Sequence, residues 1–347
     1  DSVSIAEFGD SRTVLMWRQF GALFLKSGAG ASTQLLRQER AQRTFDAGEA
    51  RCRRYNRKLR HYSRHWNRMP DNIRVVLSRA KAELQSLLGD LDERSLWGVL
   101  LSARPGSGSC VGTLDPSCVS PPFKVGYTAK CVTRDALPYA AALHRATVRG
   151  KDGPAEFRVV SGNRLSFVPK DSVTLRTIAI EPAENMWLQL GVHEDWRKRL
   201  SKWDIWLSDQ SKNRNAARDG SRSWLSRDSL VTLDQSNASG HISQGVVELL
   251  FPSSWVSFLR DIRSPRYEQP GSGDPVDYQC WSSMGNGYTF VLQCALFGAL
   301  VRATLSLTEC ERVYRVYGDD VIVPRGAALL LIEVFRWLGF VVNTSKS

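Results

Sequence analysis

The spacing of apolar positions changes period several times along the chain, and each change marks an element. Between residues 72 and 101, Ile73, Val76, Leu77, Leu84, Leu87, Leu88 and Leu91 recur at roughly helical intervals, which predicts a helix with one buried face. The same reading, punctuated by Pro and Gly, predicts helices over 12–26, 134–147, 183–208, 241–250, 253–263, 288–305 and 327–338. The 183–208 segment carries Trp187, Trp196, Trp203 and Trp206, which are expected in the core. Short β-forming runs predict strands at 156–160, 164–168, 230–234, 313–317, 321–323 and 339–343. The stretches 103–122, 208–228 and 264–278 are polar or rich in Gly, Ser and Pro, and read as loops.

Composition narrows the class. With 347 residues, 42% hydrophobic and 24% charged, the chain is an ordinary globular one with material for one large or two to three smaller domains. Forty-seven Lys and Arg against 35 Asp and Glu give a formal charge of +12, which favours a polyanionic partner. No apolar run is long enough to span a membrane. Seven cysteines without a CxxC pair or zinc-like spacing read as free thiols, and His61 with His65 reads as a surface pair among arginines. The densest cationic tract, Arg37 to Lys81, interleaves Arg51, Arg53, Arg54, Arg57, Lys58, Arg60, Arg64 and Arg68 with Tyr55, Tyr62 and Trp66. It fits either a solvated helix face or a nucleic-acid groove in which cations meet phosphates and rings meet bases.

The stretch that carries chemistry is Val313 to Pro324, where two β-rich runs flank Gly318-Asp319-Asp320. Two adjacent carboxylates at a hairpin tip repel each other, so the tip is either a solvated Asp turn or a site for a hard divalent cation. Asp234 ends the apolar strand Leu230–Leu233, a costly position for an acid unless it is paired or metal-bound, and is its natural companion. Arg164, Lys170 and Arg176 lie on extended segments around a Pro-Lys-Asp turn and could grip a triphosphate, or simply decorate an exposed hairpin. Ser282-Ser-Met-Gly-Asn-Gly-Tyr-Thr289 is a Gly-bearing loop opening a long apolar helix, suited to an anion or only to a tight turn.

In order, these pieces resemble motifs F, A, B, C and the start of D of RNA-directed RNA polymerases. The strings Ile178-Ala-Ile-Glu-Pro182, Asp209-Gln-Ser211, Ser282–Phe290, Val316–Pro324 and Gly339-Phe-Val-Val-Asn-Thr344 resemble the replicase subunit of the single-stranded RNA bacteriophages, the levivirus or Qβ-like family. The resemblance is strong over 155–347 and weaker but collinear over 60–150. It implies an α+β right-hand polymerase: helical, basic fingers over 1–150, further fingers with the basic hairpin over 151–227, and a palm with antiparallel sheet over 228–347 that includes a fingers-type insertion about 253–280. The thumb expected after motif D is missing or truncated, so the chain reads as part of a longer protein.

The resemblance further implies RNA synthesis from NTPs by two-metal nucleotidyl transfer. Asp234, Asp319 and Asp320 would be the catalytic, metal-binding aspartates, with two Mg²⁺ ions or Mn²⁺ as a substitute. Arg164, Lys170 and Arg176 would bind NTP phosphates, while Ser283, Gly285, Asn286, Thr289 and Gln293 would position template and ribose. Partners would be a single-stranded RNA template, nascent RNA and NTPs, together with host elongation factors Tu and Ts and a small-subunit ribosomal protein, in the cytoplasm of a bacterial host and with no membrane. The chain departs from the pattern in two ways: Ser239 and Gly240 stand where an acid that helps select ribose is expected, and Gln293 stands where Asn is common. The rival functions are a reverse transcriptase and a non-catalytic RNA-binding fragment.

Overall fold

The helical repeat that begins at residue 72 resolves into two helices. In the computed structural model, which describes residues 34–113, 129–147, 155–171, 174–222, 226, 228–343 and a few positions between 13 and 20, α1 spans Gln34–Arg64, α2 Asp71–Leu88 and α3 Glu93–Leu101. Gly89, at φ +60°, stops α2 in a conformation that glycine adopts without penalty. The Asp92 carboxylate then accepts from Ser95 N at 2.7 Å and starts α3. After β1 (Cys131–Thr133) and α4 (Leu137–Ala146) come β2 (Arg158–Val160), β3 (Asn163–Pro169), β4 (Leu175–Ile180) and α5 (Ala183–Leu200). The remaining elements are α6 (Ser211–Arg222), β5 (Leu230–Leu233), α7 (Gln244–Leu250), α8 (Ser253–Ile262), β6 (Arg266–Glu268), β7 (Pro275–Asp277), α9 (Thr289–Leu305), β8 (Arg315–Tyr317), β9 (Asp320–Pro324) and α10 (Arg325–Leu338).

Five expectations need correction. The 183–208 helix stops at Leu200 and a short 3₁₀ turn, where Asp204 adopts a left-handed φ of 57°. Of its tryptophans, Trp196 and Trp203 are buried but Trp206 is 47% exposed and outside the core. The polar stretch 208–228 contains α6, whose start is set by Asp209 accepting from Ser211 N at 2.8 Å. The stretch 264–278 holds the short antiparallel pair β6–β7. The 339–343 strand reduces to an isolated bridge between Val342 and Gln235. The 12–26 helix falls largely outside the described residues.

The chain forms two compact units, one of residues 1–47 with 166–178 and the other of 48–165 with 179–347. In the smaller, Arg37 donates to the Asp171 carbonyl at 3.0 Å, and Asp171 closes the turn by accepting from Thr174 N at 2.7 Å. The larger unit is built around α9, buried along almost its whole length because its sequence is apolar on all sides. Helix α9 packs on α2, α5 and α10, and Phe297 meets Phe335 and Phe340 edge to face at 5.3 and 5.1 Å. Against it lies the antiparallel sheet β5-β9-β8, with Val321 and Val323 fully buried. The described part of the molecule is therefore a mixture of helices and small sheets. No helix among the described residues is long and apolar enough to cross a membrane.

Candidate active site

The sheet β5-β9-β8 brings the aspartates to one end. Strands β8 and β9 pair with Arg315 opposite Ile322 and Tyr317 opposite Asp320, which leaves Gly318 and Asp319 as a two-residue loop. Gly318 takes φ +63° while Asp319 does not adopt a positive φ, the pattern of a II′ hairpin turn with glycine first. A Cβ at Gly318 would come within 2.6 Å of the Phe290 ring, and Phe290 packs edge-on against Tyr317 at 4.9 Å. The Gly318 N–H donates to Cys294 Sγ at 3.1 Å, so two residues one helical turn apart on α9 hold the hairpin turn. Burial pushes the Cys294 thiol up to about 12, and the nearby Asp319 charge acts in the same direction. This sulfur is thus a buried hydrogen-bond acceptor.

Strand β5 runs antiparallel to β9 with Leu233 opposite Val321 as the last pair, so Asp234 leaves β5 at the end where Asp320 enters β9. Asp234 is fixed from its other side by Asn343. The Asn343 N–H donates to the Asp234 carbonyl at 2.8 Å, and its side-chain amide donates to Asp234 Oδ2 at 3.0 Å. Asp319 and Asp320 are exposed and Asp234 is half-buried. The donor set is all carboxylate oxygen, the chemistry of Mg²⁺ or Mn²⁺ sites. Among the described residues no three His, Cys, Asp or Glu side chains gather into a metal cage, so a cation here would draw further ligands from water and substrate phosphates.

The loop 282–289 is built with comparable economy. Thr289 Oγ1 lies 2.9 Å from Ser282 Oγ and 3.0 Å from the Ser283 carbonyl, and Asn286 N donates to that same carbonyl at 3.2 Å. Asn286 Oδ1 accepts from Tyr288 N at 3.0 Å. Gly285 takes φ +113°, and a Cβ there would lie 2.1 Å from the Ala179 carbonyl. That close approach accompanies the bond from Ala179 N to the Met284 carbonyl at 2.7 Å. Ser283, Asn286, Thr289 and Gln293 are all buried. Their polar groups shape the loop as much as they face any ligand.

Beneath the loop lies a buried polar network centred on Glu181. Its carboxylate accepts from Asn163 Nδ2 at 2.7 Å, Ser264 Oγ at 2.7 Å and Gln189 Nε2 at 3.0 Å. Asn163 Oδ1 in turn accepts from the Tyr278 hydroxyl at 2.9 Å, which stands 3.3 Å from Ser283 Oγ. Gln189 Oε1 accepts from Gly287 N at 2.9 Å. Burial raises the Glu181 pKa, against the lowering effect of its three donors and Arg263. The loop conformation is thereby tied to β3, α5 and Ser264.

The predicted phosphate-binding cations divide between the two units. Arg164 lies in the larger, while Lys170 and Arg176 lie in the smaller. All three are exposed, with no ion pair among the described residues. At the departure from the family pattern, Ser239 is 8% exposed. A Cβ at Gly240 would meet the Asn237 side chain at 2.7 Å, so the Asn237 amide packs directly against Gly240. Asn237 itself takes φ +51°, which Asn tolerates better than most residues. Asn343, Asn237, Phe290 and Cys294 carry no signal of their own in the sequence that marks them as site residues. Asn343 was visible only as part of the Gly339–Thr344 string.

A family model described as RNA replicase, beta-chain, matches residues 25–347. The RNA-directed RNA polymerase subunit beta of Escherichia virus Qbeta is 38% identical over 309 residues, covering 87% of this chain and 50% of that protein. The subunit of Enterobacteria phage SP is 38% identical over 87% of this chain and 51% of that protein, and the beta chain of Escherichia phage MS2 is 38% identical over 55% and 34%. The chain belongs to the RNA replicase beta-chain family. It spans about half the length of the curated relatives it matches most fully.

Proposed function

We propose that this chain carries the fingers and palm of a phage RNA-directed RNA polymerase that copies single-stranded RNA from NTPs. The observation that supports this most is the register that brings Asp234 and Asp320 to the same end of one sheet, next to the Asp319 turn. In this reading residues 1–150 and 151–227 serve as fingers and 228–347 as palm, with a fingers-type insertion about 253–280.

Asp234, Asp319 and Asp320 would hold two divalent cations, Mg²⁺ or Mn²⁺. When bound, such ions lower the pKa of the attacking 3′-hydroxyl and neutralise the pyrophosphate leaving group. Asn343 keeps the Asp234 carboxylate turned to the sheet end, and Phe290 and Cys294 hold the hairpin so that Asp319 and Asp320 need little reorganisation. Arg164, Lys170 and Arg176 would bind the NTP phosphates. The loop of Ser283, Gly285, Asn286 and Thr289, with Gln293 one turn into α9, would position template and ribose.

Host elongation factors Tu and Ts and a small-subunit ribosomal protein are the proposed partners, and the host bacterial cytoplasm is the proposed site of action. The test is incorporation on a single-stranded RNA template offered NTPs or dNTPs in parallel, with the chain inside its full-length protein. Mg²⁺-dependent product from NTPs is expected. Product from dNTPs alone would make it a reverse transcriptase, and RNA binding without either product would make it a non-catalytic RNA-binding protein.

A further inference from the structure

Helix α1 shows three faces within the larger unit. One is buried: Cys52, Asn56 and Leu59 face inward, with Cys52 Sγ donating to the Gly240 carbonyl at 3.3 Å and Asn56 bonded to Gln279 and Gly245. A second closes the end of α10, where Arg51 donates to the Gly339 carbonyl at 2.6 Å, Lys58 to that of Trp337 at 2.7 Å and Tyr55 to that of Arg336 at 3.3 Å. Tyr62 belongs with this face, its ring 5.3 Å from that of Trp337. The aromatic residues of the cationic tract are thus engaged in packing, and the third face is left to arginine.

That face carries Arg53, Arg57, Arg60 and Arg64, all exposed, at intervals of four, three and four residues. Such spacing puts the four on one stripe, with consecutive Cβ atoms about 5–6 Å apart. No Asp or Glu occurs between Ala50 and Pro70. Only Arg60 has an ion-pair partner among the described residues, Glu248 at 3.9 Å, and Glu248 sits closer to Arg260 at 2.8 Å. Like charges one helical turn apart destabilise a helix, and solvated faces ordinarily mix both signs. Folding therefore gives no reason for the stripe. The planar guanidinium fork of arginine also suits bidentate bonding to phosphate oxygens.

We infer that the outer face of α1 is a track for the phosphates of single-stranded RNA, contacted through the backbone alone and so without sequence preference. The inference deepens the polymerase reading by giving the RNA a second contact, on the helix face turned away from Gly240 and Gln279. With its rings used elsewhere, the face has cations for phosphates and no platform for bases. Binding here should show as a salt-dependent term of about 0.7 in the log–log slope per phosphate engaged.

The experiment measures the affinity of the full-length protein for a labelled single-stranded RNA of mixed sequence at several salt concentrations, without NTPs or divalent cation. The variant R53Q/R57Q/R60Q/R64Q should lower the slope by about 3, so that a fourfold rise in salt weakens the parent about fiftyfold more than the variant. The all-lysine variant should keep the slope, and K81Q/R94Q/R134Q/K202Q, which removes four exposed cations elsewhere, should change it far less. If the quadruple Gln variant loses its helical signal, R53Q/R57Q should show about half the change. An unchanged slope, or an equal change in the scattered control, would overturn the inference and leave the stripe to an acidic protein surface. Asp319→Asn, run in the same assay, should leave the slope intact, so failure of the metal assignment and failure of the track give different results.

Discussion

Asn343 holds Asp234 twice, through its backbone N–H to the Asp234 carbonyl at 2.8 Å and through its side-chain amide to Asp234 Oδ2 at 3.0 Å. The first bond sets the chain and the second turns the carboxylate. Asn343→Ala removes only the second. A hydrogen bond to a charged acceptor contributes about 1.5–3 kcal/mol, and 1.4 kcal/mol is tenfold. The expected outcome is a half-saturating Mg²⁺ concentration about tenfold higher, with RNA affinity unchanged. A metal titration of incorporation, with Mn²⁺ binding followed by spin resonance, reads it. Parental values in both would show that Asn343 does not orient Asp234.

Gly285 separates a steric requirement from a conformational one. At φ +113°, with the Ala179 carbonyl 2.1 Å from the place of a Cβ, Gly285→Ala must move backbone. Gly271 has φ +80° and nothing within 4 Å. Gly271→Ala should cost about 1–2 kcal/mol, and Gly285→Ala more than about 3 kcal/mol with loss of incorporation. Denaturant melts of the two variants compare them directly, and equal destabilisation would refute the close approach.

Glu181 predicts the sign of a pH dependence. Burial raises its pKa in the folded state above the ordinary carboxylate value, so the folded chain binds a proton that the unfolded chain has released. Its contribution is fully present below the unfolded pKa and is lost as pH rises through the folded one. His241 acts oppositely: burial, with Arg51 nearby, lowers it to about 4, so its contribution is present above its unfolded pKa and is lost as pH falls towards 4. Comparing Glu181→Gln with the parent isolates the first effect. The variant should gain stability relative to the parent as pH rises from the ordinary carboxylate range through neutrality. A constant difference across that range would mean that Glu181 does not titrate there.

Cys294 should resist alkylation in the folded protein, because burial pushes its thiol up to about 12 and its sulfur accepts the Gly318 N–H. Cys294→Ala leaves that buried N–H without a partner, at a cost of about 1–3 kcal/mol. Labelling followed by peptide mass mapping gives the first result and thermal melts give the second. Rapid native labelling of Cys294 would contradict the packing of α9 under the hairpin.

Much of this architecture was legible in local sequence. The hairpin around Gly318 was readable because its turn and its β-branched flanks are neighbours in the chain, and α9 because its apolar run is long. Long-range partners were not. The bond between Asn343 and Asp234 spans 109 positions, and nothing in either neighbourhood encodes it. Helix α6 was missed because its only buried apolar anchor is Ala216, so it has no hydrophobic period. Strands β6 and β7 were missed because three-residue strands between Pro and Gly are defined by pairing more than by composition.

The central claim is that Asp234 and the Asp319-Asp320 hairpin form one metal-dependent centre of nucleotide transfer. Its most direct test is nucleotide incorporation by Asp319→Asn within the full-length protein, on an RNA template and at saturating Mg²⁺. The predicted result is a fall of about a hundredfold or more with RNA binding retained. Incorporation at the parental rate would contradict the account.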